Sequence, residues 1–249
     1  MKRITLSIWI TIASIFSLSA QDANYKDTTL TFNELKEIHA TLPTHITICD
    51  SNSDIIAISY PEAAEEYINV SIDKKDSALI IKRKKSSQKS NQTAYVSEKY
   101  PIRIRIPSSS MRRILNTSDM ILHIENSTFA DWTMIANTGS LGITGEAIEA
   151  KTKIEYYNTG TMTNHLKRHE TSMLMLSNTG FLLTQGETSA SHIEQNSTGV
   201  ENTDLKVSCQ KLEINSTGKG VLRYHGKSDL VSVASTGSAH IYTSELNVE

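Results

Sequence analysis

Apolar and polar residues alternate in short runs through the first part of the chain. The runs are His45-Ile46-Thr47-Ile48-Cys49, Tyr67-Ile68-Asn69-Val70-Ser71-Ile72 and Ile102-Arg103-Ile104-Arg105-Ile106. Period-two alternation with β-branched residues is the mark of half-buried strands. Asp54–Ser59 and Ala78–Ile81 read as further strands, Pro61–Glu66 as a single helical turn, and the polar, glycine-free stretch Ser86–Thr93 as a loop.

Beyond residue 108 the pattern becomes periodic. Thr-Gly pairs recur at Thr138-Gly139, Thr159-Gly160, Thr179-Gly180, Thr198-Gly199, Thr217-Gly218 and Thr236-Gly237, with glycine-to-glycine steps of 21, 20, 19, 19 and 19 residues. A degenerate copy, Asn116-Thr117-Ser118, precedes them. The residue before each Thr is Asn137, Asn158, Asn178, Ser197, Ser216 or Ser235. Five positions before the Thr lie Ile154, Leu174, Ile193, Leu212 and Val231; three before it lie Ile114, Ile135, Tyr156, Leu176, Ile214 and Val233. A spacing of two places both columns on one strand face. Thr133 and Gln195 interrupt them once each. After the glycine, Leu141, Met162 and Leu182 share one offset, and Ile143, Leu222 and Ile241 another.

A repeat of this length predicts a solenoid whose coils cannot bury their apolar face alone. About 20 residues at about 3.3 Å each make one circuit of short strands and turns, and circuits stack at about 4.8 Å. Seven triplets give a rod of about 29 Å. The triplet predicts a corner repeated on every circuit, with Gly supplying a positive φ and Asn or Ser bonding to nearby backbone. Stacked Asn or Thr side chains also bond to their neighbours above and below. The same columns could instead form a ligand-binding ladder; the structural reading is preferred because the triplet already meets a need of the backbone.

Glycine and proline follow this division. All four prolines precede residue 108 and all eleven glycines lie at or beyond 139. The chain of 249 residues therefore divides into a β-region at 21–107 and a parallel β-helix repeat at 108–249, continuous with it. Residues 1–20 read as a cleaved signal peptide, with basic Lys2 and Arg3, an apolar run, and Ser19-Ala20 before Gln21. A membrane anchor is the competing reading, but the uncharged run is only 17 residues (4 to 20) and carries several Ser and Thr. No later segment is apolar enough to span a membrane. Export to the periplasm, the cell surface or the medium follows.

Without residues 1–20 the chain has 23 basic and 27 acidic residues, a net charge of −4, which argues against a nucleic-acid partner. Export permits a disulfide between Cys49 and Cys209, but two lone cysteines 160 positions apart are not a framework, and two buried thiols are the plainer reading.

Candidate chemistry is sparse. Glu155, Glu194 and Glu213 share an offset, with Glu194 and Glu213 on adjacent rungs and Met175 between Glu155 and Glu194. Such a pair could bind a cation or act on a glycan, yet a solvated face explains it as well. His165 and His169 would be about 13 Å apart on a strand, too far for one ion, and read as exposed. Lys82, Arg83, Lys84, Lys85, Lys89, Lys99, Arg103, Arg105, Arg112 and Arg113 form a basic stretch. It suits an acidic polysaccharide or headgroup, or a strand edge kept from pairing by charge; the edge is preferred. No nucleotide-binding, zinc-protease or serine-hydrolase motif is present. No catalytic residue, metal or cofactor is expected.

A first strand near Phe32–Ile48, a basic strand ending in Ile106-Pro107, and Asn/Ser-Thr-Gly turns about every 20 residues together resemble the bacterial putative auto-transporter adhesin, head GIN domain family, over about residues 30–245. The resemblance implies a right-handed parallel β-helix on an envelope or secreted protein, and brings no catalytic residues with it. The leading expectation is a non-catalytic envelope protein, an adhesin for a glycan or protein surface. A polysaccharide-acting enzyme and a scaffold without its own ligand are the alternatives. The open last coil near Val233–Ile241 makes self-association a further expectation.

Overall fold

The computed structural model describes residues 24–49, 53–85, 96–107 and 111–248. The expected signal peptide and the whole polar loop at 86–93 lie outside these residues. The described chain is almost wholly β. Its first part holds β1 (Tyr25–Thr31), β2 (Glu37–Ala40), β3 (Thr44–Cys49), β4 (Ile55–Pro61), β5 (Ile68–Asp73), β6 (Ala78–Arg83) and β7 (Ile102–Pro107), with a 3-10 turn at Glu62–Ala64 where a helical turn was expected. The repeat holds β8 (Arg113–Asn116), β9 (Asp119–Thr128), β10 (Trp132–Asn137), β11 (Ser140–Asn158), β12 (Thr161–Asn178), β13 (Phe181–Ser197), β14 (Val200–Ser216), β15 (Lys219–Ser235) and β16 (Ser238–Val248).

From β11 to β15 each strand is a complete coil running from one triplet to the next. Every coil pairs parallel with its neighbours in the register of the repeat: Ser140 faces Thr161, Thr161 faces Phe181, Phe181 faces Val200 and Val200 faces Lys219. The result is a β-solenoid of about seven turns. The earlier strands stack directly on it, β3 on β9 and β2 on β8, both parallel. Antiparallel β4 and β1 close one side of that end, and antiparallel β5 closes the other. The core is the expected set of columns: Ile154, Leu174, Ile193 and Leu212 are buried, as are Ile114, Ile135, Tyr156, Leu176 and Ile214.

The columns fail at the last coil. Val233 is 47 % exposed and Leu230 54 %, because β16 covers β15 only as far as Ser228 and, among the described residues, no strand pairs with the run from Leu230 to Ser235 on that side.

Three expectations need correction. The corner glycines do not have positive φ; that conformation falls at Gly145, Gly186, Gly220 and Gly226. The corner needs glycine because successive corners touch: a Cβ on Gly160 would lie 2.1 Å from the Gly139 carbonyl oxygen, and one on Gly180 2.1 Å from that of Gly160. The basic strand β7 is not an edge, since it pairs with both β3 and β4. The cysteines follow the plainer reading, since Cys49 and Cys209 are both free and buried. They sit on β3 and β14, five strand spacings apart along the stack, or about 24 Å at about 4.8 Å each, far beyond disulfide reach. His169 is fully buried rather than exposed. Lys167 and Arg168 both face outward at a corner where the register shifts, so the alternation slips and the next residue points inward.

Candidate functional site

The triplet side chains divide by position. The six threonines, Thr138, Thr159, Thr179, Thr198, Thr217 and Thr236, face solvent along one corner. The residues before them turn inward. Asn116 Nδ2 donates to Asn137 Oδ1, Asn137 to Asn158 and Asn158 to Asn178, each at 2.8 Å. The Asn158 amide also reaches the Gly160 carbonyl at 3.1 Å and the Phe181 carbonyl on the next coil at 2.7 Å. Ser197 and Ser216 continue the buried column, and Ser235 ends it in solvent. A buried amide whose hydrogens are all engaged has nothing to offer a ligand. Asn158→Ala is expected to cost about 2 kcal/mol, since it breaks the ladder at one rung and takes the donor away from buried Asn178 Oδ1 and from the Phe181 carbonyl. Urea unfolding would measure it, and a loss below about 0.5 kcal/mol would refute the ladder as a source of stability.

Outward columns of the strand before the corner form a broad face. In successive rungs one column runs Trp132, Lys153, Met173, His192; a second Met134, Glu155, Met175, Glu194, Glu213; a third Ala136, Tyr157, Ser177, Asn196. The three predicted glutamates are here, Glu194 and Glu213 on adjacent rungs. Glu155 is only 6 % exposed. Trp132 Nε1 donates to its Oε2, Tyr157 donates to its Oε1 at 3.0 Å, and Lys153 Nζ lies 2.7 Å from the same oxygen. Burial would raise its pKa, but the bonds from Lys153, Trp132 and Tyr157 together outweigh it and hold the carboxyl below the usual value. Glu213 is held down by Lys211 at 2.8 Å and His192 at 2.7 Å. Asn196 Nδ2 donates to Glu194 at 2.6 Å. A glycosidase acid needs a raised pKa; Glu213 moves the other way. Sequence reasoning picked out the carboxylates but missed their setting, the Trp132–Tyr157–Met175 surface, whose signal lies in the outward offsets.

The histidine pair is split by the wall of the solenoid. His165 faces out and bonds Gln185 at 3.1 Å, while His169 lies inside. Asn164 Nδ2 is 3.2 Å from His169 Nε2, and the Tyr156 ring meets the imidazole edge-on with centroids 5.8 Å apart. Burial lowers the His169 pKa to about 4, against a small opposing effect of the Glu187 backbone. On the next coil, Gln195 fills its break in the column. Its Oε1 accepts from Tyr224, and its Nε2 donates to Glu201 Oε1 and, at 3.0 Å, to Thr203 Oγ1. Glu201 Oε2 has no hydrogen-bond partner. Burial pushes this carboxyl up to about 7 despite contacts with Ser197, Gln195 and Thr203. Glu201 takes the offset held by Leu141, Met162 and Leu182, which is the signal that could have placed it inside.

The basic stretch is dispersed. Arg105 makes a two-pronged pair with Glu125 at 3.0 and 3.2 Å, Arg113 pairs with Glu37 at 3.2 Å, and Arg103 lies 4.4 Å over the Tyr25 ring. Lys89 lies outside the described residues. Among the described residues, no group of three or more His, Cys, Asp and Glu side chains is placed to hold a metal ion, and no helix is long and apolar enough to cross a membrane.

A capped β-solenoid with a buried amide ladder and an amphipathic outer face defines a class of repeat protein. The chain belongs to the family described as "Putative auto-transporter adhesin, head GIN domain", whose profile matches residues 34–249. The fold is similar to the crystal structure of a putative adhesin from Bacteroides fragilis NCTC 9343, with a TM-score of 0.63 at 17 % identity over 89 % of this chain and 97 % of that one. It is also similar to a putative adhesin from Parabacteroides merdae ATCC 43184, with a TM-score of 0.52 at 14 % identity over 91 % and 95 %. A comparison with curated protein sequences found no match.

Proposed function

We propose that this chain is a non-catalytic, exported envelope protein that binds a glycan or protein surface along the outside of its rod. In this reading the triplets hold the corner of the solenoid and take no part in recognition. The observation that carries it is the inward, self-satisfied amide ladder beside an outward face built on Trp132, Tyr157 and Met175. Aromatic and thioether side chains set among charges are the usual material of a binding surface.

The test is binding of the purified chain to an array of glycans and extracellular-matrix proteins at low and high salt. Saturable binding that weakens at least about tenfold in Trp132→Ala/Tyr157→Ala, with the β-fold retained by circular dichroism, is the expected result. A blank array would favour a scaffold without its own ligand. Turnover of a polysaccharide, lost in Glu194→Gln or Glu213→Gln, would favour the enzyme.

A further inference from the structure

Ten of the eleven glycines have a backbone reason to be glycine: a Cβ on any of them would fall within 2.3 Å of a carbonyl oxygen on the coil below. Gly142 has none. Its φ is ordinary, and a Cβ there would meet only Thr163 Oγ1, at 3.6 Å, a normal contact. Its neighbours in the outward column, Ile121 and Thr163, carry side chains.

Gly142 lies on the floor of a hollow of about 420 Å³, within the range of small-molecule sites. Ile121, 46 % exposed, continues the floor. Pro43, Pro101 and Glu98 line it together with His45, Asp119, Ser140, Thr161 and Thr163. The wall is tied in place. Tyr25 donates to the Pro101 carbonyl at 3.1 Å, the Ile102 N–H to the Pro43 carbonyl at 3.0 Å, and the Tyr100 N–H to the Ser97 carbonyl at 3.0 Å.

We propose that this hollow is a binding site for one residue of a neutral sugar, with Gly142 left bare so that the ring can lie on the floor. Two carboxylates, Glu98 and Asp119, accept hydrogen bonds from sugar hydroxyls, and the hydroxyls of Ser140, Thr161 and Thr163 both give and accept them. Ile121, Pro43 and Pro101 offer apolar surface to the C–H face of a ring. No Lys or Arg lines the hollow, so an anionic sugar would meet carboxylates without a counter-charge. Burial first, and Arg103 second, lower the His45 pKa, which keeps its imidazole neutral at pH 7.

This proposal rests on the reading of the rod as a binding protein and names one ligand for it. The experiment titrates the purified chain with glucose, galactose, mannose and N-acetylglucosamine, with glucuronate as the anionic control. Parallel titrations use Gly142→Val, Asp119→Asn and Lys219→Ala, the last on an exposed side chain that does not line the hollow. Saturation by at least one neutral sugar, weakened at least about tenfold by Gly142→Val and by Asp119→Asn but unaffected by Lys219→Ala, is expected. Binding indifferent to Gly142→Val and Asp119→Asn overturns the proposal, and so does glucuronate binding as tightly as the neutral sugars. If no neutral sugar binds while the array gives hits that Gly142→Val leaves intact, the hollow is refuted and the binding reading survives. A blank in both overturns both.

Discussion

Alanine at position 160 is expected to lower the unfolding free energy by more than about 3 kcal/mol, whereas alanine at position 142 should leave it unchanged or raise it by up to about 1 kcal/mol. The chemical change is the same and the surroundings differ. At Gly160 the new methyl would overlap the Gly139 carbonyl oxygen at 2.1 Å and the Thr138 carbonyl carbon at 2.8 Å. Those atoms cannot retreat, because the Gly139 carbonyl also accepts the Thr161 N–H at 2.8 Å as part of the ladder. At Gly142 the methyl meets nothing closer than 3.6 Å, and the unfolded chain loses freedom. Urea unfolding of the two variants side by side decides the point. Equal losses would refute corner-on-corner contact as the reason for the repeated glycine.

Glu201→Gln is expected to convert a nearly flat dependence of stability on pH into one that climbs by about 3 kcal/mol between pH 4 and 6.5. Two buried groups oppose each other in the parent. Glu201 has an ordinary value of 4.5 raised to about 7. Between these values the unfolded chain releases a proton that the folded chain keeps. Its stabilising contribution is therefore full below pH 4.5 and lost as pH rises to about 7, by about 3 kcal/mol. His169 has an ordinary value of 6.5 lowered to about 4. Its contribution is full above pH 6.5 and lost as pH falls to about 4, by a similar amount. Over the shared window the slopes cancel. Removing the carboxyl leaves the rising slope of His169, and the variant should exceed the parent by about 3 kcal/mol at pH 8. His169→Leu should leave only the falling slope. Parallel profiles for parent and Glu201→Gln across pH 4 to 8 would overturn this account.

The solenoid was legible because its information is local and repeated. Two offsets before each Thr name the core of every complete coil, and the glycine steps of 19 to 21 residues give the pairing register. Interruptions were visible as interruptions, but their purpose was not. Thr133 bonds the Arg112 carbonyl at 3.3 Å, and Gln195 knits a polar cluster across three rungs. His169 was misplaced because a corner with two consecutive outward residues inverts the alternation, and counting by twos does not register it. The glycine was correctly singled out but for the wrong reason, since a clash between coils leaves no trace within one coil. Arg103 and Arg105 were read as an edge because the antiparallel partner, β4, lies more than 40 residues away in sequence. The hollow at Gly142 escaped for a similar reason: its wall and its floor come from distant segments.

The two ends of the rod differ in how far the chain must travel to close a contact. From β11 onward every rung joins residues 19 to 21 apart, so each new coil costs the same modest loop. The capped end joins Thr44 to Ile102 and Met120, and Glu37 to Arg113, at separations of 58, 76 and 76. Each of the longest closures costs about 1 kcal/mol more than a coil. β2 and β3 emerge from synthesis before β8 and β9, their parallel partners in the repeat, which are made 76 positions later. The cap is thus written before the repeat that it stacks on and is among the last parts to find its place.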